Sequence, residues 1–252
     1  MSTKHTIAAV VVVCALCLPP VTAGHTAASS PRSPEVRDAL TARATTLPRL
    51  RNLLVSIDDE IVEEHYFNGV AAGTTANVKS VSKTIMSILV GIAIDQGFLA
   101  GVGQPIADFL ADELDNAEPS QRAITLEDLL TMQSGLETTS HRKYKRWVQS
   151  RNCVRHVLSR PMVEAPGGLM LYSTGSTHLL SAIVTKTTGM STLTFARRYL
   201  AEPLGITLPS WLQDPQEIYF GGNGRRSHRR HFDTLIERHL IPEIARARGS
   251  AR

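Results

Sequence analysis

The chain has 252 residues, 42% of them hydrophobic and 20% charged, with a formal net charge of +4. That apolar share excludes wholesale disorder and allows a domain of moderate size with a real core. The basic excess is local: residues 224–252 hold eight Arg against three acids, a net +5, so the rest of the chain sums to −1, and no nucleic-acid partner is expected for the folded part.

Residues 1–23 read as a secretory signal peptide. Lys4 and His5 start it, "TIAAVVVVCALCL" is a short apolar core, and "VTA" before Gly24 suits a signal peptidase. The apolar run is short for a membrane span, although an uncleaved N-terminal anchor is the other reading. The expectation is an exported protein, periplasmic or secreted, with no stable membrane anchor once the signal is removed. Cys14 and Cys17 fall inside the signal, so Cys153 alone remains and is expected as a small packed hydrophobe.

Residues 24–48 are small, polar and Pro-punctuated, and are expected to form a flexible leader. The domain proper is expected over 49–224. It opens with "LRNLLVSIDDEIVEEHYFNGV", whose apolar runs flank the acidic turn "DDE" and close on Asn68-Gly69, predicting a β-hairpin. The segment from Ser80 to Gln96 is apolar nearly all round and predicts a buried helix with Gly97 at its C-terminus. Thr125 and Asp128 in "ITLEDLLTMQSGL" predict a capping box before a short helix. "TGSTHLLSAIVTKTTG" predicts a helix ending at Gly189, and "STLTFARRYLAEPLG" another, stopped by Pro203 and Gly205. Strand signals followed by helices suggest an α/β (α+β) domain, a sheet with helices packed against it.

Chemistry concentrates at Ser80 and Lys83. At i and i+3 two helical side chains share a face, and the unpaired N–H groups of a first turn favour negative charge there. A serine hydroxyl is a weak nucleophile without a base or a group that stabilises its alkoxide. A partly buried lysine can be either: its pKa falls, so it accepts a proton, or it stays charged and stabilises the anion. The plain alternative is a surface lysine beside a capping serine.

"SVSKTIMSILVG", "ITLEDLLTMQSGL", "EAPGGLMLYSTGSTHLLSAI" and "AEPLGI" occur in that order. Together they resemble the serine hydrolases related to class C β-lactamases, D-Ala-D-Ala carboxypeptidases and certain esterases. "YSTGSTHLLSAI" and "WLQDPQEIYFGGN" are most similar to the esterase and 6-aminohexanoate-dimer hydrolase branch. The resemblance implies a β-lactamase/penicillin-binding-protein-like transpeptidase fold, an antiparallel sheet flanked by helices. It implies Ser80 as acylated nucleophile, Lys83 as its activating partner and Tyr172 of "YST" as the proton-handling tyrosine, a role that suits a phenol whose pKa is lowered by neighbours. Thr174 stands where many members have Asn, a substrate-binding position; this departure favours ester or amide substrates over β-lactam turnover. Trp147 is a candidate for lining the substrate cleft, with packing as the alternative. His178 lies on an apolar helix face and is expected to be packed. No metal or organic cofactor is implied, and no zinc, P-loop or G-x-S-x-G motif occurs.

The resemblance also implies later strands that complete the sheet and carry a further active-site motif. After "YFGGNG" the sequence instead turns Arg- and His-rich. The expectation is therefore a partial domain lacking its C-terminal strands, with 225–252 an atypical basic tail, the mark of a frameshift or truncation in the gene; a genuine basic helix is the alternative. Functionally, the expectation is a serine hydrolase cleaving an ester, amide or β-lactam bond of a small molecule through an acyl-enzyme. The competing reading is an inactive remnant or a penicillin-recognising protein of the same family.

Overall fold

A computed structural model of the chain describes residues 33–57, 60–71, 79–115, 117–206, 208 and 210–222. The signal-peptide span, the middle of the acidic turn and the basic tail lie outside the described residues. Contacts divide the chain into two units, 77–227 forming one and the flanking segments the other.

In the flanking unit, Ser33 caps a helix, α1 (Pro34–Thr45), its hydroxyl accepting from the Val36 N–H. This span belongs to the expected leader, so residues 34–45 are helical where flexibility was expected. The signals are end signals: a Ser N-cap, Pro in the first turn, Glu35 after it and Arg43 in the last turn. Its apolar stripe is too thin to be seen by periodicity. The predicted hairpin follows as β1 (Asn52–Ile57) paired antiparallel with β2 (Glu60–Tyr66), the register slipping between Val55 and Ser56. Asn68 and Gly69 both take positive φ, 54° and 71°, closing a tight turn in which the Val70 N–H donates to Phe67 O. Ala44, Leu50 and Leu53 form a small core with Leu40, Val55 and Phe67. Arg37 clips α1 to β2 through Glu63 and through Val62 O, the latter at 2.8 Å.

The larger unit is helical: α2 (Ser82–Asp95), α3 (Ala107–Leu110), α4 (Pro119–Arg122), α5 (Leu126–Leu130), α6 (Tyr144–Val148), α7 (Cys153–Leu158), α8 (Thr174–Thr188) and α9 (Thr192–Ala196). Ile85, Met86, Leu89, Val90 and Ala93 bury one face of α2, at helical spacing. Gly97 follows at φ 73°, as the C-terminal signal predicted. Thr125 and Asp128 form the expected capping box of α5, with Asp128 accepting from the Thr125 N–H at 2.8 Å and the Asp128 N–H donating back at 3.2 Å.

Helix α8 is the hub, packing against α2, α3, α5, α7 and α9. Residues 174–184 of it are buried without a break, and Gly189 ends it in the left-handed conformation at φ 66°. α9 is shorter than predicted: after Ala196 the chain widens into one π-type turn, Arg197–Ala201, before reaching Pro203. Among the described residues no helix is long and apolar enough to cross a membrane.

Candidate active site

Ser80 stands two residues before the start of α2 at Ser82, not inside its first turn as expected. Lys79 takes a left-handed φ of 51°, and the Lys83 N–H donates to Ser80 O at 3.0 Å, closing the turn that starts the helix. Ser80 is therefore exposed, while Lys83 in the first turn reaches back so that its Nζ donates to Ser80 Oγ at 3.3 Å. Tyr172, 92 residues downstream, places its hydroxyl 2.7 Å from the same oxygen. The Lys83 ammonium also lies 5.1 Å from the Tyr172 ring centroid. The three residues that the resemblance singled out thus converge on one oxygen.

Tyr172 is held by a loop that runs alongside it. The Leu171 N–H donates to Met132 O at 2.8 Å and the Val163 N–H to Gly135 O at 2.8 Å. Gly135 has φ 73°, and a Cβ there would come within 2.2 Å of Glu164 O, which is why "QSGL" carries a glycine. Three successive hydroxyls of the loop then grip the start of α8. Thr138 Oγ1 donates to Tyr172 O at 2.6 Å, Thr139 Oγ1 accepts from the Gly175 N–H at 3.0 Å, and Ser140 Oγ accepts from the Thr174 N–H at 2.8 Å. The last two bonds satisfy N–H groups a helix start leaves unpaired.

Lys83 is held from the other side by Gly222, whose carbonyl accepts from Nζ at 2.9 Å across 139 residues of sequence. A Cβ at Gly222 would lie 2.9 Å from Lys83 Nζ and 2.9 Å from Thr174 Cγ2; one at Gly221 would lie 2.2 Å from Thr177 O. The glycine pair is thus required by close approach. Gly222 escaped sequence reading because a Gly-Gly pair reads as a loop; its only signal was its place at the end of a family-like segment.

Burial pulls the Lys83 ammonium below the usual lysine range, against the Tyr172 phenol, which holds it up. Burial pushes the Tyr172 phenol up, but its hydrogen bonds to Ser80 and Lys83, the Lys83 charge and a hydrogen bond with Thr174 outweigh that and leave it below the usual tyrosine value. Both shifts run downward, so each group gives up its proton more readily than it would in water.

The remaining candidates are placed differently. Thr174, expected to bind substrate, is 5% exposed, and its Oγ1 lies 3.0 Å from Ser140 Oγ, so it supports Tyr172 from behind. Trp147, expected at the cleft, is 0% exposed; its Nε1 donates to Cys153 O at 3.1 Å and its ring packs edge-on against Tyr144, His178 and Phe220. It belongs to the core, the indole N–H having found its partner inside. Cys153 is buried, and burial pushes its thiol up, which suits packing. His178 is buried as expected. At the mouth sits His141, exposed, with φ 54° and its ring centroid 6.1 Å from that of Tyr172; no pattern in the sequence marked it. A separate cleft of about 620 Å³, lined by Glu113, Arg151, Arg155 and His156 among others, includes none of the three converging residues.

The beta-lactamase family profile matches residues 51–234. Among curated proteins no match was found. Among solved structures the chain is similar to EstCE1, a hydrolase with promiscuous acyltransferase activity, at TM-score 0.64 and 15% identity, over 79% of this chain and 70% of that one. It is similar to FmtA from Staphylococcus aureus at TM-score 0.64 and 14% identity, over 86% and 66%. A candidate 6-aminohexanoate-dimer hydrolase from Bacillus anthracis aligns at TM-score 0.57 and 17% identity, over 79% and 56%. At these identities the likeness is one of fold, and the chain spans less than two thirds of the length of several such structures.

Proposed function

The chain belongs to the beta-lactamase family, and we propose that it is a serine hydrolase that works through an acyl-enzyme on Ser80. The observation that carries this reading is the convergence of Tyr172 OH at 2.7 Å and Lys83 Nζ at 3.3 Å on one exposed serine oxygen.

The geometry supports both halves of an acyl transfer. A neutral Lys83 keeps one N–H on Gly222 O and turns its lone pair toward the Ser80 hydroxyl. Ser80 Oγ then bonds to the substrate carbonyl carbon while its proton passes to Lys83. Collapse of the tetrahedral adduct breaks the bond to the leaving group, which takes a proton from Tyr172, and Lys83 restores the phenol. A water molecule attacks the acyl-enzyme in turn, giving one proton to the same pair. Ser80 leaves reprotonated, and the product is a free acid.

The substrates are small molecules with an ester or amide carbonyl, with a β-lactam as the third class. The commitment of the Thr174 hydroxyl to Ser140 supports esters and amides, since no side-chain amide stands there to contact substrate. Export remains part of the proposal, on residues 1–23 as a sequence; an exported product whose mass starts at Gly24 would support it, and a retained segment would remove it.

Intact mass after treatment with a fluorophosphonate probe tests the reading. One adduct on the parent and none on Ser80→Ala is the expected outcome. No adduct on parent protein shown to be folded by circular dichroism overturns it.

A further inference from the structure

Gly222 ends a stretch, 213–222, that has no regular structure beyond a single bridge between Gln213 and Tyr219. Something other than a sheet must set where its carbonyls fall. One face of α8 does so. Positions 174, 177, 178 and 181 lie at i, i+3, i+4 and i+7, a single stripe. Ser181 Oγ donates to Tyr219 O at 2.6 Å. The His178 ring packs on Phe220, centroids 5.0 Å apart. Thr177 O lies so close to Gly221 that a Cβ would come within 2.2 Å, and Thr174 closes on Gly222. Residues 219–222 therefore run along the stripe in register, residue by residue, and deliver the Gly222 carbonyl to Lys83.

The register is locked by a buried pair. Asp214 and His178 side chains are both 0% exposed and meet at 2.9 Å, Nε2 to Oδ2. The other Asp214 oxygen accepts from the N–H groups of Gln216 at 2.8 Å and Ile218 at 3.0 Å, so one carboxylate folds the turn and ties it to α8. Among the described residues His178 Nδ1 has no hydrogen-bond partner. A carboxylate only accepts, so Nε2 carries the hydrogen and Nδ1 a bare lone pair, a smaller loss than an unpaired buried N–H. Burying a carboxylate and an imidazole is costly beside apolar residues of the same volume, so packing alone does not account for the pair.

We propose that Asp214 and His178 are a positioning pair for Lys83: they hold segment 219–222 in register on α8 and thereby keep the Gly222 carbonyl on the lysine nitrogen. Neither touches the reacting atoms. The catalytic consequence rests on the hydrolase reading above; the positional one does not.

The test compares His178→Leu, which removes the donor, with His178→Gln, which places an amide N–H near the Nε2 position. Active-site titration counts competent sites, and the acylation rate is then expressed per site. Misfolding lowers the count; loss of positioning lowers the rate. Expected for His178→Leu is a per-site loss of about 10- to 100-fold, the scale of a small misplacement of a catalytic group, with recovery to within about 3-fold in His178→Gln. A parent rate per site in His178→Leu overturns the proposal. Should His178→Leu not fold, Asp214→Asn serves: it keeps size and the turn acceptor but forces the ring to present Nδ1–H to no acceptor, and the same loss is expected.

A second readout needs no substrate. In protein carrying ¹⁵Nζ-lysine, the Lys83 resonance, assigned with Lys83→Met, is titrated by NMR. Lys83 faces the Ser80 and Tyr172 hydroxyls and the Gly222 carbonyl, with Tyr172 the titratable group acting on it. An ammonium that loses its carbonyl acceptor is less favoured, so its midpoint falls in His178→Leu and returns in His178→Gln. Equal midpoints overturn the proposal even if the parent is not acylated, whereas a parent that is not acylated with midpoints moving as stated overturns only the hydrolase reading.

Discussion

Two regions hold Tyr172 and Lys83 beside Ser80, and they do so by different physics. The region around Tyr172 is a ladder of single hydrogen bonds: loop carbonyls on one rung, then the hydroxyls of Thr138, Thr139 and Ser140 on the next. The region around Lys83 is a steric fit, a glycine pair pressed against α8 and locked by a buried Asp214–His178 hydrogen bond. A ladder loses about 1 kcal/mol at a time as rungs are removed; a close approach either fits or does not.

The largest effects come from the held groups themselves. Tyr172→Phe and Lys83→Met are each expected to lower acylation by about 10²–10⁴-fold, read by stopped-flow against an activated ester. A Tyr172→Phe rate equal to the parent would remove the phenol from the mechanism.

Gly222→Ala probes the fit. The atoms nearest its added Cβ are side-chain atoms, the flexible end of Lys83, which can move at little cost to folding, and the methyl of Thr174. Acylation should drop by roughly 10–100-fold as Nζ is pushed aside, with the thermal midpoint nearly unchanged. Gly221→Ala meets backbone instead and should destabilise by about 1–3 kcal/mol. If the two alanine variants behave alike, the distinction between a site clash and a backbone clash fails.

Ser140→Ala removes one rung and leaves the buried Thr174 N–H without its acceptor. A loss of about 1–3 kcal/mol in denaturant unfolding is expected, while acylation per competent site falls only a few-fold because the Thr138 and Thr139 rungs remain. A collapse of the per-site rate would show that the ladder fails all at once.

The smallest expected effect is a displacement along the pH axis. On the proposed mechanism acylation needs the Lys83–Tyr172 pair to give up a proton, so the rate should fall as pH is lowered through the folded value of that step. Burial holds Lys83 below its ordinary range, so the acid limb should lie below the value of about 10.4 typical of a free lysine. A limb at the free-lysine value would show that burial does not activate Lys83.

Legibility followed the range of the interaction. The capping box Thr125–Asp128, the left-handed Gly97 and Gly189, the hairpin, and the Ser80–Lys83 spacing each act within a few residues, where backbone geometry alone decides. The start of α2 was misjudged by two residues because Lys79 adopts a conformation its residue type does not announce. Helix α1 was missed because its ends carried the signal while its sides did not. The approach of Tyr172 to Ser80 was legible only through resemblance, since 92 residues separate them.

By itself, then, the sequence determined the helix ends at Gly97 and Gly189, the capping box that starts α5, and that a serine and a lysine stand three residues apart beside a helix start. Tertiary structure decided that Tyr172 meets Ser80, that the Gly222 carbonyl holds Lys83 from the other side, that Trp147 goes to the core, and that Asp214 finds His178. The reason is physical. Local preferences act through a few backbone dihedrals, whereas these meetings depend on how α8 packs against its neighbours, and α8 carries on one buried face the polar stripe that none of its local neighbours could explain.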